Sequence, residues 1–321
     1  MSPITKPNIS SKNIHKLIYE CGQLKDNENI AIIYDYNTFK IAKFIKDFIA
    51  PCQCVLLKAD VQIHGQEPSE EVAQLMMESD LIFGLTSFSM AHTKARKNAT
   101  ANGSRYLSLP EYSLDVINSK AFEVDFIEVA KISNRLIKLL KDTENLSIKT
   151  NKGTDISLNI ESRNWNDAPG ILLHKGRLGS PPDCEINIAP VENLSNGTIV
   201  VDGSVPIPGI GLLSEDIILN VRSGVVSYTK NKYSYILDNS FGAKENNRII
   251  GEFGIGLNNF AKLCGRMLED EGASGTCHFG VGSNSTIGGK NRANIHIDFI
   301  IKEPEIYADS ELVFKKNKWL I

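Results

Sequence analysis

Ile30-Ala31-Ile32-Ile33-Tyr34, followed by Phe39-Lys40-Ile41-Ala42-Lys43-Phe44-Ile45-Lys46-Asp47-Phe48, is the stretch on which the fold turns. Five apolar or aromatic residues in a row suit a strand covered on both faces. The next stretch carries its apolar residues at helical spacing. The alternation continues outward: Cys54-Val55-Leu56-Leu57 reads as a second strand and Glu71 to Met77 as a helix. Leu81-Ile82-Phe83-Gly84-Leu85 follows as a third strand. Ala91 to Asn102 reads as a helix closed by Gly103, and Tyr106-Leu107 as a short fourth strand. Strands that alternate with helices predict a parallel sheet with helices on its faces, whose binding sites lie at the strand carboxyl ends. No GxGxxG follows the first strand, so no dinucleotide site is inferred.

A long helical stretch, Phe126 to Lys141, bridges to a different pattern. Ser147–Lys149 and Ile156–Asn159 flank Asn151-Lys152-Gly153, a hairpin turn. Further strands are expected at Ile186–Ala189, Thr198–Val201, Ile217–Val221, Val225–Tyr228, Thr276–Gly282 and Ile295–Ile301, with a helix over Phe260–Leu268. The expected organisation is an α/β, Rossmann-like domain over 1–142 with a parallel sheet. An α+β metal-binding catalytic domain with largely antiparallel strands follows over 143–321. The 321 residues fit two domains.

The net charge of −3 comes without a basic stripe, which argues against nucleic acid as a partner. No apolar run approaches the roughly 18 residues that span a bilayer, which argues against a membrane partner. Met1 to Lys6 lacks the apolar core of a secretory signal. Cys21, Cys52, Cys54, Cys184, Cys264 and Cys277 form no CxxC pair, and reduced thiols in a cytoplasmic protein are expected.

The chemistry concentrates in the last third. In Ile295-His296-Ile297-Asp298-Phe299, period two sends His296 and Asp298 to one face and the apolar residues to the other. His278 sits in a second strand-like run with Gly280 and Gly282 at its parity, where small residues admit a close neighbour. Glu271 ends the acidic triplet Glu269-Asp270-Glu271, where negative charge opposes a helix dipole. Glu252 is set among Ile249, Ile250, Gly251 and Gly254, surroundings in which a buried carboxylate needs a cation. Glu185 opens a strand after Pro181-Pro182-Asp183-Cys184. Each of these has an ordinary structural reading taken alone. Together they form a mixed oxygen and nitrogen donor set suited to Zn, Mn, Co or Fe.

The stretches Gly251-Glu252-Phe253-Gly254-Ile255-Gly256, Asp270-Glu271, Gly275-Thr276-Cys277-His278-Phe279-Gly280-Val281-Gly282, Gly288-Gly289-Lys290-Asn291 and His296-Ile297-Asp298 resemble the metalloaminopeptidases of the aminopeptidase T and aminopeptidase S type. Glu185 and His92-Thr93-Lys94-Ala95-Arg96 fit the same resemblance. It implies a homodimeric, leucyl aminopeptidase-like hydrolase acting on peptides or a small-molecule substrate. Glu185, Glu252, Glu271, His278, His296 and Asp298 would bind two divalent ions (Zn, Co or Mn), with Glu271 or Glu252 as the base. The family's tyrosine seven residues after the motif histidine is Ser285 here. Two alternatives therefore stand beside the hydrolase. One is a 2,5-dihydroxypyridine ring-cleaving dioxygenase, with one Fe(II) on His278, His296 and Asp298. The other is a peptide-binding or biosynthetic homologue without peptidase turnover.

Overall fold

A computed structural model describes residues 10–49 and 54–320. The described chain divides into two compact units, one within Met1–Ile127 and Gly170–Pro182, the other within Glu128–Pro169 and Asp183–Ile321.

The first unit is built on a five-stranded parallel sheet. Strands β1 (Ile30–Tyr34), β2 (Cys54–Lys58), β3 (Leu81–Leu85) and β4 (Arg105–Ser108), with Leu178–Gly179 at the edge, lie in the order β2-β1-β3-β4-edge. The pairings are parallel throughout. Every residue of β3 is buried, as its unbroken apolar run requires, and so is every residue of β4. Gly84 interrupts β3 for a steric reason: a Cβ there would stand 2.1 Å from the Tyr106 hydroxyl. Helices Phe39–Ile49, Glu70–Glu78 and Lys94–Ala101 connect the strands. The last starts later than expected, because the Thr93 side chain accepts from Arg96 N at 3.1 Å and so caps the helix there. Ala91 and His92 form the turn before it, with His92 exposed. Cys52 and the Met1 to Lys6 segment lie outside the described residues. Cys21 and Cys277 are free, buried thiols, and Cys264 is free and half-buried. No helix among the described residues is long and apolar enough to cross a membrane.

The second unit holds two sheets. Eight strands, including Asn145–Lys149, Asp155–Asn159, Asn196–Val201 and Ile217–Arg222, form one. The other has seven, among them β5 (Asn166–Ala168), β6 (Glu185–Ile188), β7 (Ile250–Gly256), β8 (Thr276–Gly282) and β9 (His296–Lys302). The latter five lie in the order β9-β8-β7-β6-β5, each antiparallel to its neighbour. One face of this sheet carries Ile186, Ile188, Phe253, Ile255, Cys277, Phe279, Val281, Ile297, Phe299 and Ile301 into a common core with Ile148, Ile156, Leu158 and Leu219. Alternation then leaves the polar residues of the same strands together on the opposite face.

The expected helix over Phe260–Leu268 is corrected. Only Met267–Asp270 is helical. Asn258 accepts from Phe260 N and Ala261 N at 3.0 and 3.1 Å, which turns the chain. Asp270 accepts from Cys264 N at 2.7 Å and Gly265 N at 2.9 Å, and Gly265 takes a left-handed φ of +80°. Local side-chain bonds thus outcompete the helical ladder.

Candidate metal centre

Four adjacent strands supply the polar face. Cross-strand neighbours pair Gly256 with Glu185, Gly254 with both Asn187 and His278, Gly280 with both Glu252 and Asp298, and Gly282 with His296. Directly opposite residues share a face, so Glu185, Glu252, His278, His296 and Asp298 converge. Glu252 joins them through an irregularity. Ile250 pairs with Val281 and Glu252 with Gly280, so the register shifts between them. This bulge at Gly251 leaves Ile250 in the core while Glu252, two residues on, faces the polar side.

The donors form two trios, Glu185–Glu252–His278 and Glu252–His296–Asp298, with the ligand atoms of each within 4.8 Å of one another. Glu252 belongs to both. His278 Nε2 lies 3.2 Å from Glu185 Oε2. His296 Nε2 lies 2.9 Å from Glu252 Oε2 and 3.2 Å from Asp298 Oδ1. All but His296 are buried; its side chain is 29% exposed, which makes it the rim of the site.

These atoms are close yet poorly satisfied. Glu185 Oε2, Glu271 Oε1, His278 Nδ1, Asp298 Oδ1 and Asp183 Oδ1 are buried without a hydrogen-bond partner. The approaches of His278 to Glu185 and of His296 to Asp298 are therefore contacts of distance, not aligned hydrogen bonds. That is the arrangement expected when donors point at a common centre instead of at each other. His296 Nδ1 is 2.8 Å from the Ser283 carbonyl, which can only accept, so Nδ1 carries a proton and Nε2 faces the carboxylates.

Two glycines make room for the imidazoles. A Cβ on Gly254 would stand 2.1 Å from His278 Cε1 and 2.9 Å from Glu185 Oε2. One on Gly280 would stand 2.6 Å from His296 Cε1 and 2.7 Å from the Glu252 Cβ. The glycine-rich motifs are thus the floor under the rings.

The electrostatics call for a cation. Burial, then the charges of Asp183 and Glu252, push Glu185 well above the usual carboxylate range. Burial and then Glu252 and Asp298 do the same to Asp183, and burial and then Asp298 to Glu271. Burial pushes His296 down, but Asp298 and Glu252 outweigh it and raise the imidazole well above its ordinary value. Burial opposes ionisation of Asp298, yet its contact with His296 holds it far below the carboxylate range. A proton on His296 Nε2 stands where a metal ion would bind the same three groups. The donor set of carboxylates and imidazoles fits a borderline divalent ion such as Zn, Mn, Co or Fe(II).

Glu271, expected among the ligands and as the base, belongs to neither trio; its carboxyl adjoins Asp298. Its neighbours in the triplet are structural, with Asp270 wholly buried and bound to Ser204 Oγ at 2.5 Å. The expected single-iron triad of His278, His296 and Asp298 draws on both trios, with His278 in one and His296 and Asp298 in the other. Ser285 is exposed in the turn after β8. Asp183 was not singled out from sequence, although it shares parity with Glu185 and Asn187 in Asp183-Cys184-Glu185-Ile186-Asn187. That alternation was its available signal.

Residues 54–320 match the family model described as NicX, 2,5-dihydroxypyridine 5,6-dioxygenase. The fold is similar to that of a 2,5-dihydroxypyridine dioxygenase from Pseudomonas putida KT2440, with a TM-score of 0.79 and 18% identity over 96% of this chain and 95% of that one. It is also similar to wild-type AmpT from Thermus thermophilus, with a TM-score of 0.72 and 15% identity over 97% and 99%. No curated protein sequence matches the chain significantly. The aminopeptidase resemblance thus holds at the level of fold, while the family model that matches is that of an oxygenase.

Proposed function

The chain belongs to the 2,5-dihydroxypyridine 5,6-dioxygenase family, and from that premise we propose that it is a metal-dependent enzyme that opens a hydroxylated nitrogen-heterocyclic ring with dioxygen. The observation that carries the reading is the span of the family match, which takes in every strand of the donor cluster. Fe(II), held by His278, His296 and Asp298, would supply the dioxygen chemistry that side chains alone lack. The chain's own residues do the rest. Ser283 fixes the His296 ring through Nδ1, and Gly254 and Gly280 leave room for both imidazoles. Glu271, raised well above the carboxylate range by burial and by Asp298 beside it, would act as the acid that gives its proton to a bound substrate and is left as carboxylate. The partly exposed His296 marks the side from which a substrate reaches the donors.

A second reading is favoured by one specific observation, the membership of Glu252 in both trios. A shared carboxylate flanked by Glu185–His278 and His296–Asp298 is suited to two ions, which would polarise a scissile carbonyl and activate water in an aminopeptidase-type hydrolase. The test runs both substrates on the same preparation. Protein loaded anaerobically with Fe(II) is expected to consume dioxygen on addition of 2,5-dihydroxypyridine. No uptake, together with hydrolysis of aminoacyl p-nitroanilides by the Zn-, Co- or Mn-loaded protein, would replace the first reading by the second.

A further inference from the structure

Glu185 divides its two carboxylate oxygens between two tasks. Oε2 faces His278 Nε2 at 3.2 Å and has no hydrogen-bond donor. Oε1 accepts from Asn187 Nδ2 at 2.6 Å. Asn187 is buried, and its own amide oxygen accepts from Asn166 Nδ2 at 2.9 Å. Asn166 and Asn187 are directly opposite one another across β5 and β6. The second hydrogen of the Asn166 amide reaches the Ile287 carbonyl at 3.1 Å. Ile287 lies in the loop joining β8 to β9, the loop that also presents the Ser283 carbonyl to His296.

This loop is clamped from outside. Arg163 donates to the Gly288 carbonyl at 2.6 Å and to Glu192 at 2.6 Å. Glu192 in turn accepts from Asn284 Nδ2 at 3.1 Å and from the Lys290 amide. Both asparagine orientations are fixed by this network. The Asn166 amide nitrogen must face two acceptors, which leaves Asn187 with its oxygen outward and its nitrogen on Glu185.

We propose that Asn187 is a positioning residue for Glu185, set by Asn166 and the β8–β9 loop, so that one loop orients a donor in each trio. Ser283 does this for His296 directly, and Ile287 does it for Glu185 through two amides in series. A neutral NH2 donor favours the ionised carboxylate and holds one oxygen, leaving the other as a ligand with a single direction. The inference rests on the two-ion reading of the trios, in which Glu185 is a ligand.

The test uses Co(II) as probe on the full-length chain, with affinity read by chelator competition and geometry by the visible Co(II) spectrum. Asn187→Leu keeps the side-chain volume and removes the donor. It is expected to weaken Co(II) binding by about 10- to 100-fold and to change the spectrum. Asn166→Leu, at a half-buried position, is expected to cause a smaller loss of the same kind. The double variant should be no worse than Asn187→Leu alone, because the two act in series. Unchanged Co(II) affinity and spectrum in Asn187→Leu, with only a lowered melting temperature, would overturn the positioning role and leave the metal centre standing. Additive losses in the double variant would overturn the serial arrangement. If Asn187→Leu does not fold, wild-type affinity and spectrum in Asn166→Leu overturn the proposal by themselves. A wild-type chain that takes up no Co(II) would instead overturn the metal centre, and the proposal with it.

Discussion

Gly254→Ala is the sharpest single perturbation of the site. The new methyl would stand 2.1 Å from His278 Cε1, 2.2 Å from Nε2 and 2.9 Å from Glu185 Oε2. Ordinary carbon contacts begin near about 3.5 Å, so the ring has to retreat by more than about 1 Å. It has little room to do so, because His278 is only 1% exposed. Overpacking of this kind costs roughly 1–3 kcal/mol of stability. Its effect on function is larger, since a displacement of about 1 Å at a reacting centre costs on the order of 100-fold. Equilibrium dialysis with a divalent ion and steady-state turnover of the metal-loaded enzyme measure the two consequences. Both are expected to fall by about 100-fold while the protein stays folded. Wild-type metal affinity in Gly254→Ala would refute the reasoning, because the glycine would then not be the floor of a ligand-bearing site.

The raised carboxyls predict a pH dependence of the metal-free protein. Glu185, Asp183 and Glu271 hold protons in the folded state that the unfolded chain releases at ordinary carboxylate values, so stability falls as pH rises through about 4.5 and above. His296, also raised, acts in the same direction above about 6.5, and a saturating divalent ion should flatten the profile, as thermal melts across pH will report. Glu185→Gln replaces a carboxyl whose ionisation the crowded cluster opposes. It is expected to raise the melting temperature of the metal-free protein while weakening metal binding, and a parallel fall of both would contradict this account. Asp270→Ala strips the acceptor from Ser204 Oγ, Cys264 N and Gly265 N, and urea denaturation should show a loss of at least about 2 kcal/mol.

The parts of the fold legible in the sequence are those where periodicity and burial agree. Ile30 to Ile33 and Leu81–Leu85 are buried on both faces, and their unbroken apolar runs say so. His296 and Asp298 alternate with a core-facing Ile297 and Phe299, so their shared face follows from period two alone. Glu252 breaks that rule, because the bulge at Gly251 changes its face relative to Ile250, and a bulge leaves no periodic trace. The 260–266 segment is apolar enough to suggest a helix, but the deciding bonds come from Asn258 and Asp270, whose side chains act on backbone several residues away. Asp270, the middle residue of the acidic triplet, serves a loop: it accepts from Ser204 Oγ and from Cys264 N. Asp183, Asn187 and Asn166 carried no motif. Asp183 was legible only through its alternation with Glu185, while the part of Asn187 and Asn166 depends on cross-strand neighbours, and pairing partners distant in sequence are not written in local pattern.

The most direct test of the account is divalent-ion uptake by the wild-type chain and by Glu252→Gln, measured side by side by elemental analysis after reconstitution. Glu252 belongs to both trios, so the account predicts at least one ion per chain in the wild type and essentially none in the variant. A wild-type chain that takes up no ion, or a variant that retains the full complement, would contradict it.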